Sequence, residues 1–433
     1  MFPSIIICVC TCLLMILSIP FKPVLKLGKL HVDSYWVIVL TGALLLLISG
    51  QVDIGTVGGA LLENSAVNPL KILVLFISMT LLSVFLDELG FFRYLAGVTL
   101  KKAKTSQTKL FIYLYLIVSV LTVFTSNDVI ILSFTPFICY FAKNARISPL
   151  PYLAAEFVAA NTWSMALIIG NPTNIYLATA SGIDFLSYLK VMLLPTVCAG
   201  AGAFLALFLV YRKKLSAPIS GQPIAARIHD RALLVIGLIH LSLCTIILAV
   251  SSYVNIEMWI VSLGAVISLF ICVLIACLIK KRRPKELLNC LRRAPWELIP
   301  FVISMFILII SLSENGVTAL LSKVLGSELA IFKYGVTSFL AANLINNIPM
   351  SVLFSSIIEP LEGAARQQAV FATVIGSNVG AFLTPIGALA GILWSSILNQ
   401  NGLKFGYKDF LKIGVTIALP TILIALLALH LVL

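Results

Sequence analysis

Residues 109–142 read KLFIYLYLIVSVLTVFTSNDVIILSFTPFICYFA, and this run decides the fold. It is apolar throughout except for a polar break near its middle, Thr125-Ser126-Asn127-Asp128. Basic residues flank it on both sides: Lys101, Lys102, Lys104 and Lys109 before, Lys143 and Arg146 after. Short loops rich in Lys and Arg stay on the cytoplasmic side of a membrane, so a single crossing would strand one flank on the wrong side. The run should therefore enter and leave by the same face. Backbone that turns at membrane depth is tolerated only where protein or a watery cavity surrounds it. Residues 109–142 are expected to form a re-entrant hairpin whose tip lies deep in the protein.

The composition supports this reading. Of 433 residues, 60% are hydrophobic and 11% charged. Mean hydropathy is +1.09, whereas roughly half the residues of soluble domains are apolar. Apolar runs of about 17 to 25 residues, long enough to cross a hydrocarbon core as a helix, recur from end to end. No stretch is left for a separate soluble domain. The formal charge of +13 sits in short loops and not on one amphipathic face, so it sets orientation and does not bind nucleic acid. The strongest basic loops are 212–231 and 280–293, joined by Lys22, Lys26, Lys29, Lys404 and Lys408. With all of them inside, both termini lie outside. The first apolar run, 5–19, lacks the basic n-region and cleavage site of a signal peptide and reads as a retained span. A multi-pass protein of the plasma (inner) membrane is expected.

A second hairpin pattern falls at 331–360, broken at Asn346-Asn347-Ile348-Pro349. Its flanks carry Glu314, Glu328, Glu359 and Glu362, so it should enter from outside. Each hairpin is followed by a helix pattern interrupted by breakers, Gly170-Asn171-Pro172-Thr173-Asn174 within 150–182 and Thr384-Pro385-Ile386-Gly387 within 366–397. Proline removes a backbone donor and clashes with the preceding turn, so both helices should be discontinuous. Asp87-Glu88-Leu89-Gly90 recurs as Ser313-Glu314-Asn315-Gly316, 226 residues on, and Asn127 recurs as Asn347, 220 residues on. The expected fold is an all-α integral membrane protein of about ten transmembrane helices plus two re-entrant hairpins and two broken helices in an inverted repeat. The first half spans 1–215, a cytoplasmic linker 216–231 and the second half 232–433.

The run TSNDVIILSFTPFI (125–138), with LINNIPMSVLF (344–354) and GSNVGAFLTPIGALAGILW (376–394), resembles the arsenite permease branch of the ion transporter superfamily. The resemblance covers most of the chain in order and implies a secondary carrier. That superfamily also holds sodium/proton antiporters and sodium-coupled carboxylate carriers, and its members are often dimers. The Gly170–Asn174 break departs from the branch and resembles uncharacterised permeases of the wider superfamily.

Asp128 stands out among candidate site residues, because an ionised carboxylate at membrane depth costs at least about 2.5 to 3.5 kcal/mol unless paired or hydrated. It is expected to serve proton coupling; its bland alternative is to cap the second hairpin arm. Ser126, Asn127, Asn346 and Asn347 offer donors and acceptors at the tips, enough to replace the hydration shell of a small oxyacid or cation, or simply to close turns. Asn171, Thr173, Asn174 and Thr384 lie at the breaks, where helix N-termini attract polar oxygen groups. Asn161, Ser377 and Asn378 lie one helical segment earlier and serve either binding or contact between spans. Glu156, two turns into the first broken helix, is a candidate proton relay. Glu88 and Glu314 read as caps or contacts between the halves.

The nine Cys residues are scattered with no CxxC pair, so no metal site is expected. Cys8 and Cys12 share one helix face and Cys10 lies on nearly the opposite one, which rules out a three-sulfur site on an intact helix. No nucleotide-binding loop or hydrolase constellation appears. An ion-coupled carrier without cofactors is expected, first as a proton-driven exporter of arsenite or antimonite. Its rivals are a sodium-coupled carrier of dicarboxylates or another small anion and a sodium/proton antiporter. A channel fits poorly, since facing hairpins and broken helices imply an occluded site. Lipid and a small substrate are the expected partners; a homodimer and a separate ATPase subunit stay compatible with the sequence.

Overall fold

The computed structural model describes residues 2–21, 24–27, 30–63, 68–219, 228–403 and 405–433. Lys22, Lys29, Lys404 and the middle of the expected linker, 220–227, lie outside the described residues.

Helices α1 (Phe2–Phe21) and α2 (Ser34–Ile48) are joined by a small antiparallel ribbon that the sequence reading did not anticipate, β1 (Val24–Leu27) against β2 (Leu30–Asp33), with Val24 opposite Asp33. After the short α3 (Ile54–Leu62) come α4 (Pro69–Glu88), α5 (Phe91–Ala103), α6 (Gln107–Phe124), α7 (Asn127–Ala145), α8 (Leu150–Trp163), α9 (Pro172–Ala180) and α10 (Phe185–Tyr211). Three connecting helices follow, α11 (Arg231–Val250), α12 (Met258–Ile279) and α13 (Lys285–Arg293). The earlier series then recurs as α14 (Leu298–Glu314), α15 (Val317–Leu325), α16 (Ala330–Ile345), α17 (Asn347–Ile358), α18 (Gly363–Gly380), α19 (Leu389–Gln400) and α20 (Tyr407–Val432).

The protein is an all-α, multi-pass membrane protein. Among the described residues seven helical stretches are long and apolar enough to cross a membrane. Their outer surfaces carry large apolar side chains in the open, such as Leu205 and Leu209 on α10, Ile239 and Leu243 on α11, and Ile267 and Ile271 on α12. Water would penalise such a surface, and lipid does not. The hairpins are α6–α7 and α16–α17, and their tips are closed off from lipid: Ser126, Asn127, Asn346 and Asn347 are all buried. The broken helices are α8–α9 and α18–α19. Two 3₁₀ turns, Ser164–Ala166 and Ile168–Gly170, fill the first break.

The repeat is also visible in backbone detail. α5 and α15 each begin after a glycine in the left-handed region, Gly90 at φ 81° and Gly316 at φ 73°. Side chains other than glycine pay about 1–2 kcal/mol for that conformation, so the same sharp exit from α4 and from α14 selects glycine twice.

One end of the molecule is stitched together by charge. Arg293 at the end of α13 donates to Asp87 at 2.7 Å and also to Glu88, which holds the connecting segment on the C-terminus of α4. Asp230 receives Lys280 at 2.7 Å and Arg282 at 3.3 Å. Ile219 N–H donates to Thr105 and His229 N–H to Leu89, so the base of the first hairpin, both ends of the linker region and α13 share this end. These are the strongly basic loops, and the fold gathers them on one side.

Inside, α16 packs so closely on α18 that a Cβ on Gly376 would meet Ser338 Oγ at 2.0 Å and the Gly335 carbonyl at 2.6 Å. Gly376 and Gly380 form a small-xxx-small pair that lets the two backbones touch. Gly376→Val should therefore cost about 1–3 kcal/mol or more by overpacking and lower the thermal unfolding midpoint in detergent. Gly264→Ala, on an α12 face with nothing within 4 Å, is the control and should shift stability by no more than about 0.5 kcal/mol. Equal melting of the two variants would show that the close approach is not a stability determinant.

Candidate functional site

The breaks are held by a buried amide and hydroxyl lattice that crosses the repeat. Asn378 on α18 uses all four of its hydrogen-bonding positions. Its Oδ1 accepts from Ser164 Oγ at 2.8 Å and Asn171 Nδ2 at 3.0 Å, and its Nδ2 donates to Asn174 Oδ1 at 2.7 Å and the Val374 carbonyl at 2.8 Å. Asn171 Oδ1 caps α9 by accepting from Thr173 N–H at 3.2 Å, and Ser377 Oγ donates to Thr173 Oγ1 at 2.9 Å. Asn174 Nδ2 donates to the carbonyls of Ser164 and Leu167, the latter also accepting from Gly170 N–H. The start of α9, expected as an open anion site, is thus closed by the protein's own side chains. The first tip joins the lattice through Asn127 Nδ2, which donates to Asn161 Oδ1 at 3.0 Å, with Ser126 beside it.

The second tip is tied to the second break through backbone. Asn346 Nδ2 donates to the Ile386 carbonyl at 3.0 Å and Asn347 N–H donates to the Gly387 carbonyl at 3.1 Å. Asn346 holds φ at 70°, a rare conformation that asparagine tolerates, while its Oδ1 accepts from Ile348 N–H. Thr384 Oγ1 donates to Asn343 Oδ1 at 2.6 Å. The side-chain amide of Asn347 has no hydrogen-bond partner among the described residues.

Asp128 is placed differently. A cavity of about 570 Å³ runs from the first tip and the second break toward the end where the basic loops gather. Asp128 lines it beside Pro385, Ile386 and Leu389, and the other candidate site residues are not in its lining. α7 has no side-chain cap, so Asp128 is not spent on its helix, and it makes no ion pair or hydrogen bond among the described residues. A much smaller cavity, about 20 Å³, lies against Ile348, Ser351 and Val352 of α17 and Pro172 and Tyr176 of α9.

Glu156 is fully buried away from both cavities. It accepts from Thr135 Oγ1 at 3.0 Å on α7 and Trp394 Nε1 at 3.3 Å on α19. It therefore links the first hairpin to both broken helices. Glu88 contacts Arg293 and Asn289, tying the end of α4 to the connecting helix α13. Cys8 is buried, Cys12 half-buried and Cys10 exposed, so the three diverge as their spacing implies.

Several participants escaped the sequence reading. Ser164, Thr135, Trp394 and Asn343 are ordinary residues until the fold supplies their partners. Asn343 alone carried a signal, as an amide one turn before the tip in an otherwise apolar arm.

A buried polar lattice at two helix breaks, two hairpin tips and a cavity bearing an unpaired carboxylate are features of a secondary transporter. A family model described as "Citrate transporter" matches residues 13–372, and the chain belongs to that family. It is 27% identical over 404 residues to the "Arsenical pump membrane protein" of Escherichia coli, covering 90% of this chain and 92% of that one. The protein of the same name from Yersinia enterocolitica is 28% identical, over 90% of this chain and 91% of its own. The "46 kDa membrane protein" of Mycobacterium leprae (strain TN) is 25% identical over 82% of this chain and 84% of its own. The resemblance to the arsenite permease branch is borne out by these matches. In fold, the chain is similar to the crystal structure of the Alcanivorax borkumensis YdaH transporter, with a TM-score of 0.57 at 14% identity over 99% of this chain and 98% of that one.

Removing Asn378 would leave Ser164, Asn171 and Asn174 short of a partner in a dry interior. Asn378→Ala should destabilise the protein by about 3 kcal/mol, since each buried group left unpaired costs about 1–3 kcal/mol. Thermal unfolding of the solubilised variant checks this, and melting at the wild-type temperature would remove the lattice from the list of stabilising features.

Proposed function

We propose that the chain is a proton-coupled exporter of arsenite and antimonite in the plasma membrane, with 1–215 and 232–433 as its two repeat halves and 216–231 as a cytoplasmic linker. The observation that carries the coupling is Asp128, an unpaired carboxylate on the wall of a cavity that reaches the hairpin tip. A carboxylate so placed is hydrated while the cavity is open. It loses that hydration when the cavity closes, and closure then favours its neutral form. Protonation of Asp128 is thereby linked to the exchange between open and closed states, which is what coupling requires. The names of the bacterial relatives support arsenite as cargo, as does the chemistry of the tips. Asn347, whose side-chain amide has no hydrogen-bond partner among the described residues, offers a donor and an acceptor suited to a neutral trihydroxide that both donates and accepts hydrogen bonds.

Glu156, on the helix that carries Asn161, serves as a proton relay or as the brace that joins α7, α8 and α19. A second reading is a sodium-coupled carrier of dicarboxylates or another small anion, and the family description, a citrate transporter, supports its carboxylate cargo. Arg293 is the guanidinium on the cavity wall, and it is already engaged by Asp87 and Glu88. Tight carboxylate recognition usually takes a bidentate arginine, so this wall suits a neutral oxyacid better.

Purified protein in proteoliposomes, with arsenite on one side, should show flux that needs an imposed pH gradient and not a sodium gradient. In Asp128→Asn that flux should fall to the protein-free background. If neither gradient moves arsenite, the cargo reading is wrong; sodium-driven citrate flux in the same vesicles would then establish the second one.

A further inference from the structure

The wall of the large cavity holds more charge than the coupling reading uses. Asp33, at the N-cap of α2, and Glu297, at the N-cap of α14, both line it toward the basic end. Neither carboxylate caps its helix, and neither forms an ion pair among the described residues. Tyr35 lines the same wall. It is 7% exposed, its ring meets Phe301 edge-on at 5.2 Å, and its hydroxyl has no hydrogen-bond partner among the described residues. That hydroxyl lies within electrostatic reach of Glu297, Asp33 and Asp128 together. Thr80, 4% exposed, adds a second unpartnered buried hydroxyl to the same wall.

Among the described residues the charges facing this space are Asp33, Asp128, Glu297 and Arg293. The positive charge of Arg293 is matched by Asp87 and Glu88, so among the described residues three carboxylates remain without a counter-charge. Such a cleft with low-dielectric walls concentrates cations. Among the described residues no three acidic, His or Cys groups come close enough to hold a metal ion, which argues against a chelated divalent ion. Unpartnered hydroxyls spaced between spread carboxylates suit a cation that keeps most of its water.

We infer that Asp33, Glu297 and Tyr35 form a receiving site for a hydrated monovalent cation, one step on the path between the solution at the basic end and Asp128. The inference rests on Asp128 as the coupling group. Hydronium and sodium share this chemistry, and the test separates them.

The solubilised full chain is melted in sodium chloride against choline chloride at equal ionic strength, and separately across a pH series in choline. A cation that binds the folded state raises the melting temperature with its concentration. Stabilisation by sodium over choline identifies a sodium site; stabilisation by acid in choline alone identifies a proton site. In either arm Asp33→Asn combined with Glu297→Gln should need about five- to tenfold more of the effective cation for the same rise in melting temperature. Tyr35→Phe keeps the ring on Phe301 and loses only the hydroxyl, so it serves if the double variant does not fold; it should need about twofold more. Asp128→Asn should keep most of the cation-dependent rise. The proposal is overturned if the double variant, or Tyr35→Phe in its place, follows the wild-type curve, or if neither cation shifts the wild type. Arsenite flux that survives in Asp128→Asn while the double variant loses its cation response would sink the coupling reading and leave the receiving site standing.

Discussion

Everything in this structure depends on how the backbone is satisfied where helices stop inside a dry interior. A helix hides its own N–H and C=O groups, whereas a broken helix exposes several of each, and lipid offers no partner. Here the backbone partners come from side chains beside each break, and at the first break an amide of the opposite repeat holds those side chains in place. Asn378 reaches across from α18 to Ser164, Asn171 and Asn174 around the first break, and Asn174 covers the carbonyls of Ser164 and Leu167. The second break is served by Asn343, Asn346 and the N–H of Asn347. The two breaks are therefore satisfied by different means, one by its own Asn171 and Asn174, which a saturated amide from the other half locks in place, and one by its own hairpin.

That constraint explains what the sequence could reveal. Hairpins, breaks and their order were legible because each leaves a polar or proline mark in an apolar field, and the field itself follows from lipid as solvent. The paired turns at Gly90 and Gly316 were legible for the same reason, since a left-handed exit selects glycine. Roles were harder to read. Asn378 and Asn171 carry the residue types of a binding site, yet in this state their capacity is spent on structure. Whether an asparagine binds or braces depends on what stands 3 Å away, and one-dimensional order does not hold that information. The ribbon after α1 was missed because Lys26 and His31 read only as loop charge, and Asp33 and Glu297 because acids at helix starts look like caps until their carboxylates are found turned away.

Charge is divided in a way that suits transport. The basic loops are tied down by acids at one end, through Arg293 with Asp87 and Glu88 and through Lys280 and Arg282 with Asp230. The cavity that opens among them is acidic on its wall. Positive charge thus orients and clamps the fold, while unpaired negative charge is kept for the path through it.

The two unequal cavities are images of each other. Under the repeat Asp128 corresponds to Ile348, Leu132 to Val352, Pro385 to Pro172 and Leu389 to Tyr176, and these residues line the cavities of about 570 and 20 Å³ respectively. One chain thus displays both faces of a single hinge, opened at one end and shut at the other. If the halves exchanged conformations, the collapsed space would become the mouth on the far side, with walls of Ile348, Val352 and Tyr176. Among the described residues no carboxylate lines that space. A space that repeats in shape thus differs in chemistry, with a carboxylate on one wall and only Ser351 and Tyr176 as polar groups on the other.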